Sequence, residues 1–246
     1  MKKILEKLLL KNPKIYRLVV EVRRNTNADK YVFSHYIKRG DTVIDCGANI
    51  GYYTNFFRTI VGKKGFVHAF EPVPSTFEHL TNNALEYSKC NNYKLINSGL
   101  YKFETVKNIY IPDSISGHAS LNNHKEAWNA QKIDNIVIKL IRLDDYIDKL
   151  EINKVDFIKI DIEGSEIDAL YGSKNTLQKN KPTLHLEVNS DLLRDSHYTV
   201  QELWELLKGL DYRKIYYYDN DPKLLLDFEN LKNDKDVINT NVIAID

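Results

Sequence analysis

The chain has 246 residues, a formal net charge of +1, and 43% hydrophobic and 28% charged residues. That length and composition suit one sizeable globular core with a short appendage. A near-zero net charge gives no global electrostatic support to nucleic-acid binding, so no nucleic-acid partner is expected. Residues 1–35 read as a basic helical arm, with Lys2, Lys3, Lys7, Lys11, Lys14, Arg17, Arg23 and Arg24 against Glu6 and Glu21. Ile4, Leu5, Leu8 and Leu9 recur at helical spacing, but the lysines and Pro13 interrupt any long apolar run. The arm therefore reads as neither a signal peptide nor a membrane span. A helix packed on the core or on a subunit partner is the plainer reading, and peripheral membrane contact near a lipid-linked substrate is the alternative.

Residues 36–246 read as one domain. Strand signals at 42–46, 66–70, 93–97, 155–161 and 183–188 alternate with helix signals at 52–61, 75–89, 165–171 and 199–208. Ser75 with Glu78 reads as a capping box, and Gly172 and Gly209 read as helix stops. Residues 214–218 and 241–245 are the last strands, with a turn at 219–222. This alternation predicts an α/β fold, a mostly parallel doubly wound sheet with helices on both faces. One stretch breaks the rhythm. Residues 106–111 and 136–141 read as an inserted antiparallel element around a polar loop at 116–121, long enough to be expected to act as a lid.

Of the two cysteines, Cys46 falls inside a buried strand, which argues against a disulfide and for a reducing, cytoplasmic location. The seven histidines are scattered, and no metal-type cluster of Cys or His appears.

The chemistry concentrates where strands end. The first strand closes on Asp45, followed by Gly47-Ala48-Asn49-Ile50-Gly51, and Glu71 ends the second strand. Glycines there allow a sharp turn and close approach of a ligand, and an acid at the second strand end can accept both ribose hydroxyls. The glycine spacing departs from G-x-G-x-x-G, and Asp45 would repel a pyrophosphate. A ligand with an ammonium group and no phosphate fits better, and S-adenosyl-L-methionine is such a ligand. Asn97, Asp161 and Glu187 end further strands, so several carboxylates converge on one sheet edge. Unpaired, they would raise one another's pKa, and a cationic ligand or a metal would relieve them.

In these segments the chain resembles the FkbM-type methyltransferases. The resemblance is carried by residues 40–51, by Phe70-Glu71-Pro72, by Arg142-Leu143-Asp144-Asp145-Tyr146, by residues 157–166 and by Leu170-Tyr171-Gly172. It implies a class I methyltransferase, Rossmann-like fold, with a seven-stranded mostly parallel sheet whose last strand is antiparallel. It also implies S-adenosyl-L-methionine as cofactor and O-methylation of a sugar, glycan or polyketide-type hydroxyl. Carried over by position, Asp45 and Gly47 lie under the methionine part of the cofactor, with Ala48, Asn49 and Gly51 in the same loop. Glu71 takes the ribose and Pro72 shapes the following turn. Asn97, Ser98 and Gly99 lie where adenine is held, Asp161 points at the active-site mouth, and the 116–121 loop covers the site.

Methyl transfer from a sulfonium to a hydroxyl is an in-line displacement, so alignment supplies much of the catalysis. A general base adds roughly 10²–10⁴-fold. Asp161 is the first candidate, followed by Glu163, Glu187 and His118. A divalent ion on Asp161, Glu163 and Glu187 is the alternative; oxygen ligands would suit a magnesium-like ion, but no metal is predicted. Two other classes are set beside this one. A nucleotide-dependent oxidoreductase is disfavoured by the glycine spacing, and a non-catalytic cofactor-binding scaffold by the intact acids. The acceptor's identity and a homo-oligomeric state are left open.

Overall fold

The computed structural model describes residues 28–86, 91–124, 128, 130–218, 221, 224–231 and 238–246. Most of the basic arm, Cys90 and most of the 219–222 turn lie outside the described residues. The chain enters through helix α1 (Ala28–Tyr36), assigned largely to the arm by the sequence reading, which buries Tyr31, Val32 and Phe33. The Phe33 ring meets Phe57, Phe157 and His185, so this helix belongs to the domain core.

Strand β1 (Thr42–Cys46), helix α2 (Tyr52–Val61) and strand β2 (Phe66–Phe70) follow. β1 and β2 are apolar along nearly their whole length because helices cover both faces of a parallel sheet. Helix α3 (Pro74–Glu86) and strand β3 (Tyr93–Ile96) complete the first half. α3 starts on Pro74, so Ser75 lies inside the helix rather than at the cap. Proline suits that first position, where its missing N–H would have no partner in any case. A capping box does occur, at Thr199 and Glu202.

The insertion is a three-stranded sheet of β4 (Gly99–Leu100), β5 (Thr105–Pro112) and β6 (Ile133–Ile141), with β5 and β6 antiparallel and β4 parallel to β6. After it come α4 (Leu143–Lys149), β7 (Phe157–Ile160), α5 (Glu166–Tyr171), α6 (Lys174–Asn180), β8 (Thr183–Asn189) and α7 (Ser190–Asp195). The chain closes through α8 (Val200–Gly209), β9 (Lys214–Tyr218), β10 (Leu226–Asp227) and β11 (Asn239–Ile245). α4, α6 and α7 were not expected. Each spans only two turns or less, too short for a helical period to stand out in the sequence.

The main sheet has eight strands in the order β10-β9-β11-β8-β7-β1-β2-β3, one more than expected. The extra strand is β10, two residues paired antiparallel to Tyr216 and Tyr217 at the edge. Too short to show alternation, it is recruited by the exposed edge of β9. Without it, the remaining seven strands match the expected arrangement, with β11 running against β8 and β9. The chain leaves β1 toward β2 and β3, then returns on the other side to β7 and β8. The strand order therefore reverses between β1 and β7, and ligands of open α/β sheets bind beyond the carboxyl ends at such a point. No helix among the described residues is long and apolar enough to cross a membrane.

Candidate active site

At the end of β1 the backbone turns through left-handed conformations at Gly47, Asn49 and Gly51 (φ 77°, 50° and 87°). A Cβ on Gly47 would collide with the backbone carbonyl of Asp161, so glycine here lets the ends of β1 and β7 close on each other. The amides of Gly47 and Ala48 both donate to the Phe70 carbonyl, at 3.1 and 3.0 Å, tying the loop to the end of β2. Glu71 then clamps that loop, accepting from the amides of Asn49 and Val73, each at 2.9 Å. Burial pushes its pKa up to about 7, against the pull of those two amides.

Asp45 sits beneath the loop, fully buried, and is not part of the cavity wall. Its Oδ2 accepts from Thr54 Oγ1 at 2.6 Å. Its Oδ1 has no hydrogen-bond partner and faces the Lys159 ammonium at 3.8 Å. Burial raises the pKa of Asp45, against Lys159 and Thr54.

Lys159, on the cavity wall, is absent from the candidates that the sequence offered. Its Nζ lies 3.0 Å from Asp161 Oδ2 and donates to the Gly47 carbonyl at 3.3 Å. Burial alone would lower its pKa, but Asp161 and Asp45 outweigh burial and hold the ammonium above the usual lysine range. A signal existed: a lysine inside a short apolar strand must find a charge partner, since unpaired buried charge is very costly.

Beyond β7 the chain passes Asp161, Glu163 (φ 53°) and Gly164 (φ 95°), and Glu166 accepts from the amides of Ile162 and Gly164. Asp161, Glu163 and Glu187 each bring a carboxylate oxygen within 4.8 Å of the others, close enough to share a proton or an ion. Burial, the Asp161 charge and a side-chain hydrogen bond shared with Asp161 raise the pKa of Glu187. Burial works against ionisation of Asp161 too, but Lys159 and the Glu187 hydrogen bond prevail and hold its pKa below the ordinary value. Burial, then Asp161 and Glu166, push Glu163 up to about 8.

A cavity of about 390 Å³ opens at this point, within the range of small-molecule sites. Glu71, Lys159, Asp161 and Glu163 give it a charged end, and Ile109, Ile138 and Leu140 of the insertion give it an apolar wall. Ser116, Gly117, Ala119 and Leu121 roof it. Ala48, Asn49, Pro72 and Gly99 line it as well. At Gly99 a Cβ would stand 2.7 Å from Leu140, so the insertion packs directly on this turn. Six candidates lie off the wall: Asp45 beneath the loop, Gly51, Glu187, Asn97, Ser98 and His118. Asn97 is exposed and holds the β2 turn, donating to the carbonyls of Glu71 and Pro72. Ser98 is buried and bonds the Asn97 carbonyl. His118 faces solvent at the end of a 3-10 turn, Ser116–His118.

A doubly wound sheet with β11 reversed between β8 and β9, a glycine turn after β1 and an acid after β2 define the class I S-adenosylmethionine-dependent methyltransferase fold. Solved structures agree. The methyltransferase FkbM of Methylobacillus flagellatus aligns with a TM-score of 0.52 and 17% identity, over 99% of this chain and 59% of that one. A SAM-dependent O-methyltransferase of Thermotoga maritima aligns with a TM-score of 0.50 and 12% identity, over 94% and 69%. The chain belongs to the FkbM methyltransferase family: the methyltransferase FkbM domain matches residues 45–214, more than half of its length.

Among curated relatives, the hexuronic acid methyltransferase AglP of Haloferax volcanii is 31% identical over 56% of this chain and 52% of its own. The 31-O-demethyl-FK506 methyltransferase FkbM of Streptomyces tacrolimicus is 27% identical over 55% and 60%. The chain thus spans between half and two thirds of the length of these relatives.

S-adenosylmethionine is the cofactor of this family and fold, and the residues present fit it. Gly47 shapes the cradle by letting the ends of β1 and β7 close on each other. Glu71 offers a desolvated carboxylate to hydroxyl donors, and the acid cluster favours a cationic ligand.

These raised carboxyl pKa values set a pH dependence. Glu71, Glu163 and Glu166 have ordinary values of 4.5 and folded values of about 7, 8 and 7. Between those limits the folded chain binds more protons than the unfolded one, so stability falls as pH rises. Denaturant melts of the cofactor-free protein should show this decline, and Glu163→Gln should flatten its upper part. A stability that climbs across that window would contradict the assignment.

Proposed function

We propose that this chain transfers a methyl group from S-adenosylmethionine to a hydroxyl of a sugar or glycan. The observation that carries the reading is the convergence of Asp161, Glu163 and Glu187, with Lys159 paired to Asp161, beside the Gly47–Glu71 cradle. When bound, the cofactor supplies an electrophilic methyl group on a sulfonium. Asp161, kept ionised by Lys159 and by its hydrogen bond with Glu187, accepts the acceptor's hydroxyl hydrogen and turns an oxygen lone pair toward the methyl group. Asp161 passes that proton on to ionised Glu163, within 4.8 Å of it: a carboxyl with a pKa of about 8 is matched to base catalysis near neutral pH. The roof at Ser116 and Gly117 keeps water from competing as acceptor. The name of one relative, a hexuronic acid methyltransferase, supports a sugar acceptor, and that of the other, a 31-O-demethyl-FK506 methyltransferase, supports transfer to oxygen. Family membership speaks against the oxidoreductase reading.

The test pairs binding with turnover. Glu71 is read as the ribose acceptor, with two charge-assisted hydrogen bonds of about 1.5–3 kcal/mol each. Calorimetry should show S-adenosylmethionine binding weakened at least about tenfold in Glu71→Ala, equivalent to one such bond. Label from methyl-labelled cofactor should appear as an O-methyl ether on a panel of hexopyranosides. Tight cofactor binding with no label on any hydroxyl would favour the scaffold reading.

A further inference from the structure

The insertion holds a second constellation that the methyl-transfer chemistry does not use. Ser120 and His124 are each 1% exposed. His124 Nδ1 lies 2.6 Å from Asp195 Oδ2 at the end of α7, and Nε2 lies 2.8 Å from Ser120 Oγ. Serine, imidazole and carboxylate in that order make up the nucleophile triad of acyl transfer. Ser120, however, is absent from the cavity wall, while its neighbours Ala119 and Leu121 line it. Its hydroxyl donates instead to the backbone carbonyl of Glu163, at 2.6 Å.

Proton counting assigns the rest. A hydroxyl has one proton, and Ser120 places it on the Glu163 carbonyl. The Nε2 contact must then be an N–H donated to Ser120 Oγ. On the other edge of the ring, Nδ1 faces the Asp195 carboxylate. The Asn122 amide, 3.3 Å away, completes the serine's bonds. Asn122 Nδ2 adds a second tie, to Ser196 Oγ at 2.7 Å. The carbonyl at the end of this chain belongs to a non-glycine residue in a left-handed turn, a conformation that persists only when its surroundings impose it.

We propose that Asp195, His124 and Ser120 form a positioning relay that holds the Glu163 turn and, through the same atoms, clamps the roof over the cavity. Closure of the roof and placement of the Glu163 carboxyl are then one event. If His124 cannot donate to Ser120, the serine proton swings away and the Glu163 carbonyl is released. The proposal rests on the methyl-transfer reading for its effect on rate, but its effect on the backbone is independent of that reading.

Three full-length variants test it. Ser120→Ala removes the final link and leaves the His124–Asp195 pair intact. His124→Asn keeps a donor toward Asp195 and loses the one toward Ser120, whereas His124→Gln keeps a donor at the Nε2 position. Ser120→Ala and His124→Asn should lower kcat on a methyl hexopyranoside about ten- to a hundredfold, the scale of a misplaced catalytic group. His124→Gln should retain most of it, and calorimetric affinity for S-adenosylmethionine should change little in all three. Amide exchange should quicken across 116–121 and 161–166 in the first two variants alone. Parent-like exchange and kcat in Ser120→Ala would overturn the relay, as would a His124→Asn variant that matches the parent. Should the parent methylate no glycoside, the methyl-transfer reading fails, and the exchange pattern still decides the relay. Should His124→Asn not fold, Ser120→Ala decides it.

Discussion

Asp161→Asn should lower turnover by roughly 10²–10⁴-fold, the worth of a group acting on the transferred proton, while leaving affinity for S-adenosylmethionine near the parent value. The surroundings of Asp161 hold its pKa down: Lys159 stands 3.0 Å away and a side-chain hydrogen bond with Glu187 adds to its effect. Asparagine keeps the shape but presents one weaker acceptor, so the acceptor hydroxyl loses both its orientation and its path for the proton. Initial rates with labelled cofactor, alongside calorimetry, measure the two quantities separately. An acid–base role predicts partial rescue at high pH, where more acceptor hydroxyl and Glu163 are ionised. A metal on the same carboxylates predicts instead that chelators inhibit the parent and added divalent ion partly restores the variant. Normal turnover would remove Asp161 from the chemistry.

Lys159→Met should destabilise the fold by about 3–5 kcal/mol, the usual cost of removing one partner of a buried ion pair. Fully buried Asp45 has one hydrogen bond, from Thr54, and its other oxygen faces only the Lys159 ammonium. Without Lys159 it must stay ionised in a low-dielectric pocket or bind a proton at a cost. The loss also frees Asp161 and the Gly47 carbonyl, so cofactor binding should weaken with stability. Asp45→Asn in the Lys159→Met background should recover part of the loss, because it removes the stranded charge. Urea denaturation of the single and double variants measures both steps. A single variant as stable as the parent would show that Asp45 carries no net charge.

Local patterns determined much of this protein. β1, β2, β9 and α2 begin and end where the apolar period and the flanking glycines place them, because such signals are contained within ten or so neighbouring residues. For the same reason Gly47, Glu71, Asp161 and Glu163 were readable as residues at the sheet edge where the cavity opens: each follows an apolar run, and a residue leaving a parallel strand at its carboxyl end has few places to go. What the sequence could not decide were pairings between distant segments. Lys159 reads as an interruption until β1 is laid beside β7, when Asp45 appears opposite it in register. Asp45 reads as a ligand until the same packing closes over it. Asp195 approaches His124 across 71 residues, and Ser120 approaches Glu163 across 43. Hydrogen bonds and ion pairs act over a few ångströms, and only the folded backbone brings groups so far apart in the chain within that reach.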